Sequence, residues 1–344
     1  MDIRSANYPK NCWWVAAQAD EVVDRPLGRW LLGEPVVLFR TSTGTVAALE
    51  DRCPHRWLPL SKGRVLGDVL VCGYHGLRFG ADGHCVRTAS HGRVPDAATV
   101  RSYPVEERGP LVWIWMGDPL RCSEMPIPDL AFVTEPDWVR ISEYMHLKSN
   151  YFLLQENVLD LTHFAYVHAN TLEVDGWDAG EDEVFTEDGT VRFRRHQPAT
   201  PLPPFLTIPA HLADGAVGDS TTFGELTLPG VHSAGIDIGD PYKGKNHGGD
   251  FHFRISHLTT PETPTTTHYW WVIGQNYGAP SSKENESVRK IIVDAFLQDK
   301  DVLENIQQVV EKDPRHTDSL EISMRSDRSG IQARKILRGF LERD

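Results

Sequence analysis

No apolar run in the chain approaches the roughly 20 residues needed to cross a bilayer. The opening stretch MDIRSANYPKNCWWVAAQ lacks a basic start, an apolar core and a small-residue cleavage site. Both absences predict a cytoplasmic protein that neither enters a membrane nor is secreted. Positive charge is in deficit: 35 Lys and Arg stand against 48 Asp and Glu, a formal net charge of −13. Such a balance excludes a histone-like or RNA-coating chain and gives no general attraction to nucleic acid. Cysteine is sparse and odd in number, five residues in all, so a disulfide framework is not expected. No glycine-rich nucleotide motif opens a helix after a strand, so any NAD(P)H chemistry belongs to a different chain. What remains, 344 residues with 40% hydrophobic and 24% charged, is a folded globular protein with length for about two domains.

The pattern divides the chain. Residues 1–118 carry short β-like runs separated by turns, including WLLGEPVVLFR with a turn at Gly33-Glu34-Pro35, VLVCGYHGLRF, and the apolar LVWIWMG. They read as a small all-β domain. Residues 119–137 hold prolines at 119, 126, 128 and 136 and suit a linker. Residues 138–344 form a second, α+β domain: YFLLQENVLDLTHFAYVH has helical period, HYWWVIGQNY reads as a strand, and helices are expected over 284–311 and 329–343. The Pro- and Gly-rich stretch 198–250 is expected to be irregular and to cover a pocket.

Two clusters of chemically unusual residues stand out. The first is Cys53-Pro54-His55, then sixteen residues, then Cys72-Gly73-Tyr74-His75-Gly76. Each short loop offers one thiolate and one imidazole, the donor set of a metal site. Tetrahedral zinc usually draws its cysteines as one pair and its histidines as another. A [2Fe–2S] centre with two Cys on one iron and two His on the other suits loops that each supply one of both. Cys12, Cys85 and Cys122 have no histidine nearby and read as packing thiols.

The second cluster is Asn157, Asp160, His163 and His168 in ENVLDLTHFAYVHAN. On a helix, Asp160 and His163 share a face, whereas His168 lies about 140° round from His163. Both imidazoles reach one metal only if the helix ends or bulges between them, and Ala169-Asn170-Thr171 reads as an exit. A two-histidine iron site with open positions takes one carboxylate. The last long helix offers Asp294, Asp299 and Asp301. Its apolar residues Val288, Ile292, Ala295, Val302, Ile306 and Val309 recur in steps of four and three, and Asp299 fills the missing step. A carboxylate on a buried stripe needs a metal or a buried base as partner.

The wording CPHRWLPLSKG…VLVCGYHGLRF resembles the Rieske cluster-binding motif, and N-x-x-D-x-x-H-x4-H with the later FLQDKDVLENIQQ resembles the mononuclear iron site of Rieske non-heme iron oxygenases. The likeness runs over nearly the whole chain and is nearest the single-subunit branch of vanillate and dicamba O-demethylases and related aromatic-acid oxygenases. It implies an N-terminal all-β Rieske domain and a C-terminal helix-grip domain with an antiparallel sheet and a long C-terminal helix. By that resemblance Cys53, His55, Cys72 and His75 hold the [2Fe–2S] cluster, with Arg56 and Trp57 beside it, and His163, His168 and Asp299 hold Fe(II). Asp160 would bridge to His75 of a neighbouring subunit in a homotrimer, and Asn157 would stand beside the iron. His257 falls where such enzymes place a polar pocket residue; Lys290 and Arg254 are further candidates for a substrate carboxylate, Lys290 being the more exposed, and one of Trp270 and Trp271 is expected on the pocket side. The implied activity is monooxygenation by O2, with electrons from NAD(P)H through a separate reductase or ferredoxin, that demethylates a small aromatic, in that branch an aromatic acid. Aromatic ring hydroxylation is the alternative, and a Rieske electron carrier without catalysis the distant one.

Overall fold

The structure is a computed structural model that describes residues 7–88, 93–172, 183–187, 189–213, 215–239, 250–279, 282–313 and 321–342. These divide into two compact units. One holds the residues up to Ile127 together with Thr260–Pro264; the other holds Pro128–Thr259 and the chain from Thr265 onward.

The first unit is all β. Its strands are β1 (Trp13–Gln18), β2 (Leu27–Leu31), β3 (Glu34–Arg40), β4 (Val46–Glu50), β5 (Arg64–Leu66), β6 (Val69–Val71), β7 (Arg78–Phe79), β8 (Cys85–Arg87), β9 (Ser102–Tyr103), β10 (Val105–Arg108) and β11 (Leu111–Trp115). They form three small sheets, ordered β1-β11-β10, β2-β3-β4-β9 and β5-β6-β7-β8. The β2–β3 turn is Leu32-Gly33, with φ of 53° and 77°, rather than the expected Gly33-Glu34-Pro35. Two residues at positive φ match the twist of a tight hairpin, and Pro35 then sits at the start of the strand. Val37, Phe39, Leu49, Leu60, Leu70 and Phe79 build a core into which Cys53 and Cys72 are packed.

The second unit is α+β. After helix α1 (Ala131–Thr134), strand β12 (Val139–Leu147) leads to helices α2 (Tyr151–Leu159) and α3 (Phe164–Val167). Strands β13 (Glu183–Glu187) and β14 (Thr190–Pro201), helix α4 (Pro204–Thr207), strands β15 (Val217–Leu228), β16 (Val231–Ile238), β17 (Phe251–Thr263) and β18 (Thr266–Gln275), then helices α5 (Lys283–Lys312) and α6 (Arg328–Leu341) complete it. The seven strands make one antiparallel sheet, ordered β12-β18-β17-β16-β15-β14-β13. No helix among the described residues is long and apolar enough to cross a membrane.

Three expectations change. Most of 198–239 is strand, not loop; residues 240–249 lie outside the described residues. The glycines there serve packing: a Cβ on Gly224 would stand 2.3 Å from Phe193 Cε1, and one on Gly235 would stand 2.6 Å from Phe223 Cζ. Trp270 and Trp271 point to opposite faces of β18, yet both are buried because both faces are covered; Trp271 meets Phe296 of α5 at 5.3 Å and Trp270 meets Tyr144 of β12 at 5.4 Å. The buried stripe of α5 runs Val288, Ile292, Ala295, Asp299, Leu303, Gln307, while Ile306 and Val309 are exposed. A straight helix turns every 3.6 residues, so its buried face drifts away from a strict alternation of three and four. Asp299 stays on the stripe either way.

Candidate functional site

The two Cys-His loops are built alike. In the first, Cys53 N donates to Leu58 O and Trp57 N to Cys53 O; in the second, Cys72 N donates to Leu77 O and Gly76 N to Cys72 O. Each loop places its fourth residue after the cysteine in the left-handed region, Trp57 at φ 61° and Gly76 at φ 69°. Gly76 takes that conformation freely, whereas Trp57 bears a strain of about 1–2 kcal/mol. Both sulfurs are buried beside one another. Burial pushes the Cys53 thiol up and Cys72 adds to the shift, while the N–H groups of His55 and Arg56, directed at the sulfur, pull the other way. His55 is exposed and His75 half-buried, with Nδ1 atoms 3.1 Å apart. That is the bite of two nitrogens on one metal with bonds of about 2.1 Å. Trp57 does not pack over its loop; it is 71% exposed, with the Arg52 guanidinium 5.2 Å from its ring.

The second site is assembled from α2, the turn after it, and α5. Helix α2 starts at Asn150, whose side chain accepts from Phe152 N, and ends at Asp160, which is extended at φ −120° and ψ 103°. A first break therefore falls at Asp160, and a second falls between the histidines as expected, where α3 ends at Val167. Asp160 Oδ1 caps the next turn, accepting from Thr162 N at 2.8 Å and from Thr162 Oγ1 at 2.7 Å. A short 3-10 turn (Leu161–His163) runs into α3, and His168 closes that helix at φ −108° and ψ 13°. This tight start and open end bring the two imidazoles to 5.2 Å between ring centres.

Asp299 meets them from the buried face of α5. Its Oδ1 lies 3.2 Å from His168 Nε2 and 3.5 Å from His163 Nε2. The three ligand atoms all fall within 4.8 Å of one another. Ligands about 2.1 Å from a common metal stand about 3.0–3.5 Å apart, so the carboxylate edges suit a shared ion. His163 Nε2 is buried and makes no hydrogen bond, an orphaned donor atom aimed at that point. The outer nitrogens are tied down: His163 Nδ1 to Asp160 O at 2.5 Å, and His168 Nδ1 to Gln298 Oε1 at 2.9 Å, with Gln298 Nε2 donating to Thr171 Oγ1. Such contacts leave Nε2 as the metal-facing atom of each ring. Burial pulls the His163 pKa down, and the neutral form is the one a metal needs. Burial opposes protonation of His168 too, but its contacts with Asp299 outweigh it and raise the pKa. Asn157 Nδ2 donates to Asp299 Oδ1 at 3.1 Å.

These residues open on an apolar cavity walled by Phe164, Phe193, Phe205, Phe253 and Ile255. His257 lines it as expected, buried, with Nδ1 2.6 Å from the Tyr269 hydroxyl. Arg254 does not: it alternates to the other face of β17, bridges to Asp237 at 2.7 Å and lies 4.8 Å from the Phe223 ring. Lys290 is 75% exposed and paired with Asp294 at 2.6 Å. Sequence reasoning missed Gln298, Thr171 and His232. His232 was detectable, since His232, Ala234, Ile236 and Ile238 alternate along one face of β16.

Comparison with known proteins agrees with this geometry. Residues 12–104 match the Rieske [2Fe-2S] domain, and residues 147–343 match the vanillate O-demethylase oxygenase C-terminal domain. The chain is 34% identical over 304 residues to the oxygenase component of dicamba O-demethylase from Stenotrophomonas maltophilia, covering 88% of each chain. It is 31% identical over 339 residues to a vanillate O-demethylase oxygenase subunit from a Pseudomonas species, covering 96% of this chain and 94% of that one. The crystal structure of dicamba monooxygenase bound to 3,6-dichlorosalicylic acid superposes with a TM-score of 0.89 at 30% identity, covering 98% of both chains. The chain belongs to the Rieske non-heme iron oxygenases, oxidoreductases that carry a [2Fe–2S] cluster and a mononuclear iron, and within them to the group of the vanillate and dicamba O-demethylase oxygenase components.

Proposed function

We propose that this protein is the terminal oxygenase of a multicomponent system that removes an O- or N-methyl group from a small aromatic compound. The observation that carries the reading is the His163–His168–Asp299 set at the wall of an apolar cavity large enough to be lined by five aromatic or branched side chains. In this reading His163, His168 and Asp299 hold the iron, and Cys53, His55, Cys72 and His75 hold the cluster, within domains spanning 138–344 and 1–118. When bound, the iron supplies open coordination positions at which O2 is activated, and the cluster supplies electrons one at a time.

The chain's own residues do the rest. Asp160 O and Gln298 fix the two imidazoles, Asn157 fixes the carboxylate, and the phenylalanines keep water from the methyl carbon. Hydroxylation of that carbon gives a hemiacetal or hemiaminal, which breaks to formaldehyde and a phenol or amine. One oxygen atom leaves in formaldehyde; the other leaves as water, using two electrons from NAD(P)H and two protons. A separate reductase or ferredoxin delivers the electrons in the cytoplasm. Asp160 would link to His75 of a neighbouring subunit in a homotrimer. The aromatic-acid expectation finds no cation to meet it: among the described residues, neither Lys nor Arg lines the cavity.

The test is formaldehyde release from a panel of methoxy- and N-methyl-aromatics with the purified protein, a surrogate reductase, NADH and air. Formaldehyde in step with substrate loss supports the reading. A ring-hydroxylated product without formaldehyde transfers the assignment to ring hydroxylation.

A further inference from the structure

Tyr269 is 2% exposed, and its hydroxyl lies 2.6 Å from His257 Nδ1. That nitrogen is its one hydrogen-bond partner among the described residues, so the phenol hydrogen points at the imidazole lone pair. Burial, and after it the Asp299 charge, raise the phenol pKa well above its ordinary value, so the proton stays on the oxygen unless an electron leaves. An oxidised phenol is a strong acid. Loss of one electron would therefore send the proton along the existing hydrogen bond, even to a ring whose own pKa burial lowers. His257 and Phe296 line the iron-side cavity, and Phe296 precedes Asp299 on α5 by about one turn. Tyr269 packs behind both, with ring centres 6.0 Å from His257 and 5.9 Å from Phe296. Its chain neighbour Trp270 points to the opposite face of β18 and so leads across the sheet. Trp270 pairs in register with Tyr144 of β12, and their ring centres are 5.4 Å apart. Tyr144 is 37% exposed, and its hydroxyl lies 2.9 Å from His268 Nδ1. Packing alone would be met by Phe at 269, with no buried hydroxyl to satisfy. Two tyrosines, each bonded to an imidazole and joined by a tryptophan, run instead from the cavity wall to the surface.

We propose that Tyr269, Trp270 and Tyr144 form an electron path that drains an unspent oxidant from the iron site to the protein surface. The inference rests on the iron-oxygenase reading and adds a protective function to it. When no substrate methyl group is present, the oxidant generated from O2 at the iron takes one electron from Tyr269. The Tyr269 proton moves to His257 Nδ1, which leaves a neutral tyrosyl radical. Trp270 then passes on one electron from Tyr144, and His257 returns the proton to Tyr269. Tyr144 in turn gives its proton to His268. A low-molecular-weight thiol in solution restores Tyr144 with one electron, and His268 returns the proton. Two such events turn two thiols into one disulfide and deliver two electrons to the oxidant, with two protons released to water.

The test mixes the substrate-free holoenzyme with hydrogen peroxide, which stands for O2 plus two electrons, and freeze-quenches it. Electron paramagnetic resonance should show a tyrosyl radical, assigned by the narrowing of its signal in protein made with ring-deuterated tyrosine. Tyr269→Phe should lower that signal ten-fold or more at unchanged iron and cluster content. Oxidised cavity residues, Phe164 and Phe296 among them, should rise several-fold in peptide mass spectrometry of the same variant. Tyr144→Phe, at an exposed position, serves if Tyr269→Phe does not fold; it should strand the radical at Tyr269 and slow its decay by glutathione ten-fold or more. Wild-type protein without a tyrosyl radical overturns the inference, as does a radical of equal size and decay in both variants. A chain that binds no iron fails the oxygenase reading, and a photo-oxidised ruthenium complex in solution then supplies the oxidant. A tyrosyl yield that both variants lower supports the path in that case, and a yield that neither changes overturns it.

Discussion

Asn157 and Asp299 lie 142 positions apart in the sequence, and their side chains meet at 3.1 Å with the amide donating to the carboxylate Oδ1. That oxygen is the one facing both histidines. Partners of metal ligands orient them, and their loss weakens metal binding by about 10–100-fold. Asn157→Ala is expected to lower iron retention against a chelator by that factor while the cluster absorbance stays at its wild-type value. Asn157→Asp sets a second carboxylate against the first and should be worse than Ala at high pH. Equal iron retention in wild type and Asn157→Ala would remove Asn157 from the site.

The two proposed metal sites separate by mutation. His163→Ala, His168→Ala and Asp299→Ala should each abolish product formation and iron binding, with the visible spectrum of the cluster intact. Cys53→Ala and Cys72→Ala should lose that spectrum, and with it turnover. Their sulfurs sit in the core of the first unit, so a drop in its thermal midpoint should accompany the loss. Iron content and visible absorbance, measured on each variant, check both halves. Turnover surviving in His163→Ala would sink the ligand assignment.

Local sequence singled out the proposed metal donors, Asp299 among them, because each breaks a rule that the surrounding pattern sets. A carboxylate on an apolar helix stripe and paired Cys-His turns are visible without coordinates. The additional break at Asp160 was missed because Asp160 is helical by period, and only its side chain capping Thr162 N shows that it starts a new turn. The stretch 198–239 was misread because Gly and Pro signal loops on average, whereas Gly224 and Gly235 lie in strands to admit aromatic rings from their neighbours. That depends on cross-strand partners far away in the chain. Arg254 was a candidate for the pocket until the register placed it on the other face with Asp237.

Arg334 of α6 grips Glu156 of α2 through both carboxylate oxygens, at 2.5 and 2.9 Å. Burial pushes the Glu156 pKa up, against the pull of Arg334. Arg334→Ala would leave that carboxylate unpaired. Breaking a fully buried pair costs about 3–5 kcal/mol. The side chains here are 24% and 21% exposed, so solvent screening reduces the expected loss to about 1–3 kcal/mol. Each kcal/mol should lower the thermal midpoint by about 2–4 °C. Arg334→Met with Glu156→Gln together should lose less than Arg334→Ala alone, because the carboxylate at 156 is gone and only the exposed Glu321 loses Arg334. Calorimetry of the three proteins distinguishes the outcomes.

His232 and His257 make stability depend on pH in a definite direction. Burial lowers the His232 pKa from 6.5 to about 3 and takes His257 well below its ordinary value, with His232 adding to the second shift. Between pH 6.5 and 3 the unfolded chain therefore binds protons that the folded chain refuses. The stability from these neutral rings is full above pH 6.5 and falls as the pH drops below it, by up to about 1.4 kcal/mol per unit for each ring. Denaturant midpoints measured from pH 7.5 to pH 5.5, with both metal centres loaded, should decline toward acid. His232→Phe removes one of these protonation sites, so its decline should be shallower. An unchanged slope would mean that the folded protein protonates His232 as readily as the unfolded one does. A ring buried beside a second imidazole, with no carboxylate in contact, gives no reason for that.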